Sequence, residues 1–229
     1  MANIVRHQFK AKIKEGFVER FADLLQEKKA EIDNQLASVK VHFFKMFQFS
    51  DLLFIYLESE STLVKFDLPS SFDEMLMDWP GEDGNRNFVS MLDIFHDAIP
   101  RSESVWRDSG SPRESLGSIV YLRPEKYCSY VFYHFQLQEE GVRKFNKHYV
   151  IGAHENCLFS YQELPAVIDK TNHDRILSTN VSPENWVELM GEHFRPWPEG
   201  LDIEAPWKSM QEIFSYSSYP DNSGTQQNW

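Results

Sequence analysis

The chain has 229 residues, of which 41% are hydrophobic, 25% charged and 14% aromatic, and its formal net charge is -12. This length accommodates one large domain or two small ones with a buried core, and the composition is that of a soluble globular protein. The acidic balance argues against nucleic acid or an anionic membrane surface as a partner.

No apolar run approaches the length of a membrane span, and the opening stretch MANIVRHQFKAKIK lacks the apolar core of a signal peptide. Cys128 and Cys157 are the only cysteines, and without secretory context they read as free thiols of a cytoplasmic protein, a disulfide remaining open.

Ile4 to Ile13 alternates apolar and polar residues and reads as a strand. Gly16 to Ala37 reads as a helix, with Phe17, Phe21, Leu24, Leu25, Ile32 and Leu36 on one stripe. Val39 to Phe49 and Leu52 to Ser59 are rich in aromatic and β-branched residues, and the polar break at Ser50 and Asp51 makes them a hairpin. Ser71 with Glu74 has the spacing of a capping box for a second helix over FDEMLMDW. Phe88 to Phe95 closes the unit as a strand.

Residues 98–117 are Ser, Pro, Gly and charge, which predicts a mobile linker. The same order of elements then returns. Ile119 to Leu122 is a short strand. Leu122 to Phe145 reads as a strand through the alternation of Val131, Tyr133, Phe135 and Leu137, or as a helix with Tyr127, Tyr130, Val131, His134, Gln138, Gly141, Val142 and Phe145 on one face. Its length and the Pro124-Glu125 first turn favour a helix over 124–146. His148 to Ala153 and Asn156 to Glu163 form a second hairpin. Pro183 to Phe194 is a helix opened by Ser182 as N-cap, and Trp207 to Tyr216 is the last strand. Residues 217–229 form a polar tail.

The offsets predict a tandem repeat, residues 3–97 and 118–216. Phe21 matches Tyr130 at 109, Phe44 matches Tyr149 and Phe54 matches Phe159 at 105, Phe72 matches Trp186 at 114, and Phe95 matches Phe214 at 119. LLFIYLE against CLFSYQE and MLDIF against MQEIF carry most of the signal. Strand-helix-strand-strand-helix-strand is the ferredoxin-like unit, whose helices cover one sheet face only. The expected fold class is therefore α+β, two ferredoxin-like repeats packed sheet on sheet as an intrachain α/β barrel.

Pro124, the Tyr130-x-x-x-His134 pair, HYVI at 148–151, NCLF at 156–159, Glu163, Trp186 and MQEIF at 210–214 give the second repeat a resemblance to the L-rhamnose mutarotases. These are sugar epimerases that work as homodimers of this unit. The resemblance implies that His134 is the proton donor and that Tyr130, Tyr149 and Trp186 line the sugar pocket. It also implies that this chain, carrying both halves, works as a monomer. The family has two adjacent tryptophans where this chain has Asn185-Trp186, so only Trp186 carries over. At the matched positions the first repeat has Phe21, Leu25, Phe44 and Phe72, which leaves no group to orient a sugar or move a proton.

The residue types suit that chemistry on their own terms. Interconverting sugar anomers requires a proton to leave the anomeric hydroxyl while another reaches the ring oxygen, and histidine titrates in the useful range. Tyrosine hydroxyls can bond sugar oxygens, and a tryptophan face can cover the apolar side of a pyranose. No cofactor or metal is required, and no Gly-rich phosphate loop, His-x-x-x-His or Cys-x-x-Cys stands in the chain. His193 is expected to be packing or surface, and His7, His42, His96, His148, His154 and His173 structural. A non-catalytic sugar-binding or sensing module is the alternative reading.

Overall fold

The computed structural model describes residues 4–60, 66–100, 106–107, 113–140, 146–168, 176–200 and 205–219. The chain is a mixed α+β protein with two antiparallel five-stranded sheets. It divides into two units, one made of residues 1–90, 100–114 and 211–229, the other of residues 91–99 and 115–210.

In unit 1, β1 (Val5–Lys12), β2 (Val41–Phe49), β3 (Leu52–Ser59), the two-residue β4 (Val89–Ser90) and β10 (Gln211–Ser217) form a sheet in the order β10-β2-β3-β1-β4. The β2–β3 hairpin turns at Ser50 and Asp51 as predicted, with Ser50 in the left-handed region at φ 54°. Alternation decides the faces. Phe9 and Ala11 of β1, Phe44 and Met46 of β2, and Leu53, Ile55 and Leu57 of β3 join Phe21, Leu24 and Leu25 of α1 (Val18–Glu27) and Ile32 and Leu36 of α2 (Lys29–Ser38) in one core. On the other face, Phe54, Tyr56 and Glu58 are also buried, so every residue of β3 is.

In unit 2, β5 (Leu92–His96), β6 (Glu114–Tyr121), β7 (Val150–His154), β8 (Cys157–Leu164) and the two-residue β9 (Lys208–Ser209) form a sheet in the order β5-β7-β8-β6-β9. Its core joins Phe95, Val120, Ile151 and Leu158 to Tyr130 and Leu137 of α3 (Tyr127–Glu140) and to Met190 of α4 (Trp186–Gly191).

Several expected elements are corrected. The helix over 16–37 is divided at Lys28 (φ -98°, ψ 6°), whose N–H still reaches the Leu24 carbonyl at 2.9 Å, so the apolar stripe survives. The helix over 72–79 is instead a 3-10 segment, Ser70–Met75, with no side-chain cap. Leu76 turns extended and pairs with Ile13, while the Met77 N–H bonds the Lys12 carbonyl at 2.8 Å; pairing with the end of β1 satisfies backbone groups that a helix would have used internally. β6 begins at Glu114, inside the expected linker. The helix over 124–146 is a 3-10 turn at Pro124–Lys126 running into α3, and Gly141, Val142 and Phe145 lie outside the described residues.

The helix expected over 183–194 covers only Trp186–Gly191, and Ser182 does not cap it. The Ser182 N–H and hydroxyl donate instead to Glu140 on α3, at 2.9 and 2.6 Å. That carboxylate also takes the Thr179 hydroxyl at 2.6 Å and the Val181 N–H at 3.0 Å, and these bonds hold its pKa down at about 2 against the opposing effect of desolvation.

Each closing strand is split. β4 pairs with β1, and after the single residue Met91, β5 pairs with β7; β9 pairs with β6, and after Met210, β10 pairs with β2. The register shifts between Asp93 and Phe95 in one case and between Glu212 and Phe214 in the other. These are the residues of the MLDIF and MQEIF segments. Among the described residues, no helix is long and apolar enough to cross a membrane.

Candidate active site

Helix α3 is aromatic all round, and packing sorts its faces. Tyr130, His134 and Leu137 point into the unit 2 core at helical spacing, while Phe132 and Phe135 stay exposed. Pro124 starts the preceding 3-10 turn, where its missing donor costs nothing.

His134 is 5% exposed. Its Nδ1–H donates to the Tyr130 carbonyl one turn back, at 2.9 Å, which fixes the neutral tautomer and leaves Nε2 as an acceptor. Tyr130 lies against it with ring centroids 4.0 Å apart, and Trp186 meets it edge-on at 5.0 Å. Phe95 completes this wall at 5.8 Å and is itself 5.8 Å from Tyr149. Tyr149 stands one residue before β7 rather than within the strand. The structure therefore gathers His134, Tyr130 and Trp186 directly and brings Tyr149 in through Phe95.

Burial governs the electrostatics. It lowers the His134 pKa to about 4, against the opposing effect of the Tyr130 carbonyl. It raises the Tyr149 phenol to about 12 and Tyr130 well above 10. Near neutrality, then, His134 is an uncharged base, and both tyrosines are hydroxyl donors. An uncharged imidazole takes up a proton before it can give one, so the proton-donor role that the resemblance implies for His134 would follow such an uptake.

One residue that the sequence reading set aside belongs here. His193, in the turn after α4, is 1% exposed, and its ring lies 5.9 Å from both Tyr130 and Tyr133. Its Nδ1–H donates to the Leu189 carbonyl at 2.8 Å, again one turn back, and its Nε2 is 2.9 Å from the Ser129 Oγ.

The matched positions in unit 1 are filled with hydrocarbon. Phe21, Leu25, Phe44 and Phe72 are each at most 1% exposed, and Phe21 meets Phe72 at 5.2 Å. A different polar cluster lies on the other face of that sheet. Tyr56 donates to Glu58 at 2.6 Å, Trp106 Nε1 donates at 2.9 Å, and the Arg107 guanidinium bonds both carboxylate oxygens at 2.8 and 2.6 Å. Arg107 also lies over the Phe43 ring at 3.7 Å. Trp106 and Arg107 were expected in a mobile linker, yet both are anchored. Tyr161 repeats the first of these bonds in unit 2, donating to Glu163 at 2.6 Å. Tyr and Glu stand two apart in both matched segments, and this was legible as a pair.

Among the described residues, no three His, Cys, Asp or Glu side chains form a group able to hold a metal ion. No protein-family model matches the chain, and no curated protein matches it. A solved structure from Fusobacterium nucleatum subsp. nucleatum, bearing the name "Putative monooxygenase", is similar over 95% of each chain at 9% identity, with a TM-score of 0.44. So distant a likeness carries no argument about activity.

Proposed function

We propose that this chain is a mutarotase-like epimerase that interconverts the anomers of a free deoxyhexose such as L-rhamnose, using the unit 2 site. The observation that carries the reading is the surroundings of His134. Its Nδ1 is occupied by a backbone carbonyl, and its Nε2 has no hydrogen-bond partner among the described residues. The imidazole packs against Tyr130 and Trp186. An oriented neutral imidazole is suited to removing the anomeric proton, tyrosine hydroxyls to bonding sugar oxygens, and an indole to covering an apolar sugar face. No cofactor enters the reaction.

The finer architecture belongs to the same proposal: two homologous ferredoxin-like repeats packed sheet on sheet as an intrachain α/β barrel, working as a monomer. The identical strand order in both sheets supports it, as do the matched splitting of the closing strands and the burial of both faces of β3. Light scattering should give the mass of one chain; an obligate dimer would contradict the monomer.

The activity is tested by exchange NMR on a panel of free deoxyhexoses. Magnetisation transfer between α and β anomer signals should accelerate with protein present. A panel in which every sugar exchanges at its uncatalysed rate would overturn the epimerase. If such sugars nevertheless bind, the alternative of a non-catalytic sugar-binding module is favoured.

A further inference from the structure

Trp186 walls His134 from the first residue of α4, a helix of only six residues with no side-chain cap at Asn185. We propose that Glu140 is a positioning residue of the unit 2 site, a carboxylate that fixes the chain leading into α4 and so sets the Trp186 indole beside His134 and against the sugar. This inference rests on the epimerase reading and deepens it.

Residues 176–184 are neither helix nor strand, so their polar groups need partners elsewhere. Among the described residues, all their hydrogen bonds run to two neighbouring carboxylates at the end of α3. The Ile176 N–H donates to Glu139 at 3.3 Å. The Thr179 hydroxyl and the Val181 N–H donate to one oxygen of Glu140 at 2.6 and 3.0 Å. The Ser182 N–H and hydroxyl donate to its other oxygen at 2.9 and 2.6 Å. Both carboxylates are buried, and Glu140 takes four of the five bonds.

From Ser182 the chain runs back along α3. Trp186 meets His134 with ring centroids 5.0 Å apart. Further on, His193 Nε2 lies 2.9 Å from the Ser129 Oγ, and the His193 carbonyl takes the Arg123 N–H at 2.9 Å. Glu140, His134 and Ser129 are thus met in turn. His134 and Glu140 are about 9 Å apart along the helix axis, a span that the chain from Ser182 to Trp186 covers with Pro183 fixing one φ on the way. The connection is held beyond α4 by His193 and before it by Glu140, and Trp186 stands just inside the second anchor.

The tether bears on the chemistry through water. Trp186, Tyr130 and Phe95 are the rings around His134, and desolvation is the main cause of its low pKa. An indole that swings away admits water to the imidazole and weakens that cause. The titratable groups near His134 are Tyr130 on α3, His193 after α4 and, through Phe95, Tyr149 before β7. The Tyr130 carbonyl opposes the lowering and His193 adds to it. Loss of the Glu140 bonds leaves the Tyr130 carbonyl in place, so the His134 titration reports the indole.

The test is the nitrogen-detected titration of His134 in wild type, Glu140→Ala, Glu140→Gln, Trp186→Ala and the double variant Glu140→Ala with Trp186→Ala. Exchange kinetics of L-rhamnose anomers are measured alongside at neutral pH. In Glu140→Ala the His134 midpoint should rise from about 4 towards 6.5. KM should rise roughly 2–10-fold with kcat kept, as expected when an aromatic contact made equally in ground and transition states is lost. Glu140→Gln keeps one acceptor oxygen and should show the same changes to a lesser degree, which keeps the test open if Glu140→Ala does not fold. Trp186→Ala should show both changes at least as strongly, and adding Glu140→Ala to it should change neither further. An unmoved His134 midpoint with unchanged KM in the Glu140 variants, or losses that add to those of Trp186→Ala, overturn the positioning role. A wild type that exchanges no free sugar removes the epimerase, whereas the His134 titration needs no sugar and still decides whether Glu140 sets Trp186.

Discussion

The His134 imidazole lies 4.0 Å from the Tyr130 ring between centroids and donates its Nδ1 proton to the carbonyl of that same tyrosine. One helical turn thus supplies the orientation, the tautomer and part of the dry wall that depresses the histidine pKa.

That depression makes stability depend on pH. The folded pKa of about 4 lies below the ordinary 6.5, so between these values the unfolded chain binds more protons at this residue. The stabilisation is fully present above 6.5 and is lost as the pH falls towards 4. The shift corresponds to roughly 3 kcal/mol at the acid end. Urea unfolding at pH 7 and pH 4.5 should show a larger acid loss in wild type than in His134→Phe. Equal losses would mean that His134 is not held neutral.

Arg107 should matter for stability although it lies in a stretch that reads as linker. Glu58 is wholly buried, and although desolvation opposes ionisation, the Arg107 charge and the bonds from Arg107, Tyr56 and Trp106 keep its pKa lowered. Arg107→Ala would strand that carboxylate, at a cost of about 3–5 kcal/mol. Changing both together, Glu58→Leu with Arg107→Met, should cost less than Arg107→Ala alone. Denaturant midpoints check this, and a near-neutral Arg107→Ala would refute it.

Glu140 should control the segment before α4. Its pKa of about 2 lies below the unfolded carboxylate value, so its contribution is present above about 4.5 and fades as pH falls through the folded value. In Glu140→Ala, the amides of Val181 and Ser182 lose their acceptor and should exchange with solvent much faster, while Leu137 amide protection in α3 remains. Unchanged exchange at both amides would show that other contacts hold the segment.

The sequence was most legible where periodicity and turn chemistry agreed. The β2–β3 hairpin, β1, the stripe of Phe21, Leu25 and Leu36, and the core face of α3 were all visible there. The misreadings have local causes. Ser71 and Ser182 both sit where a cap was plausible, but Leu76 found a strand partner and Ser182 found a buried carboxylate. The split closing strands could not be read, because a continuous alternation does not say that residues on either side of Met91 or Met210 pair with different sheets. His193 reads as packing or surface in the sequence, and the structure buries it against Tyr130 and Tyr133 with its Nε2 on Ser129, which is distant in sequence.

The central claim is that only unit 2 carries proton chemistry, and matched substitutions test it most directly. Anomer exchange of a sugar that wild type accelerates should be measured with His134→Ala and with Leu25→Ala, its counterpart in unit 1. His134→Ala should reduce the rate roughly 10²–10⁴-fold, with sugar binding weakened far less because Tyr130, Tyr149 and Trp186 remain. Leu25→Ala, which opens a cavity at a residue 1% exposed, should cost about 2–5 kcal/mol of stability while the folded protein keeps its rate. Equal rate losses in the two variants, or an unchanged rate in His134→Ala, would contradict the account.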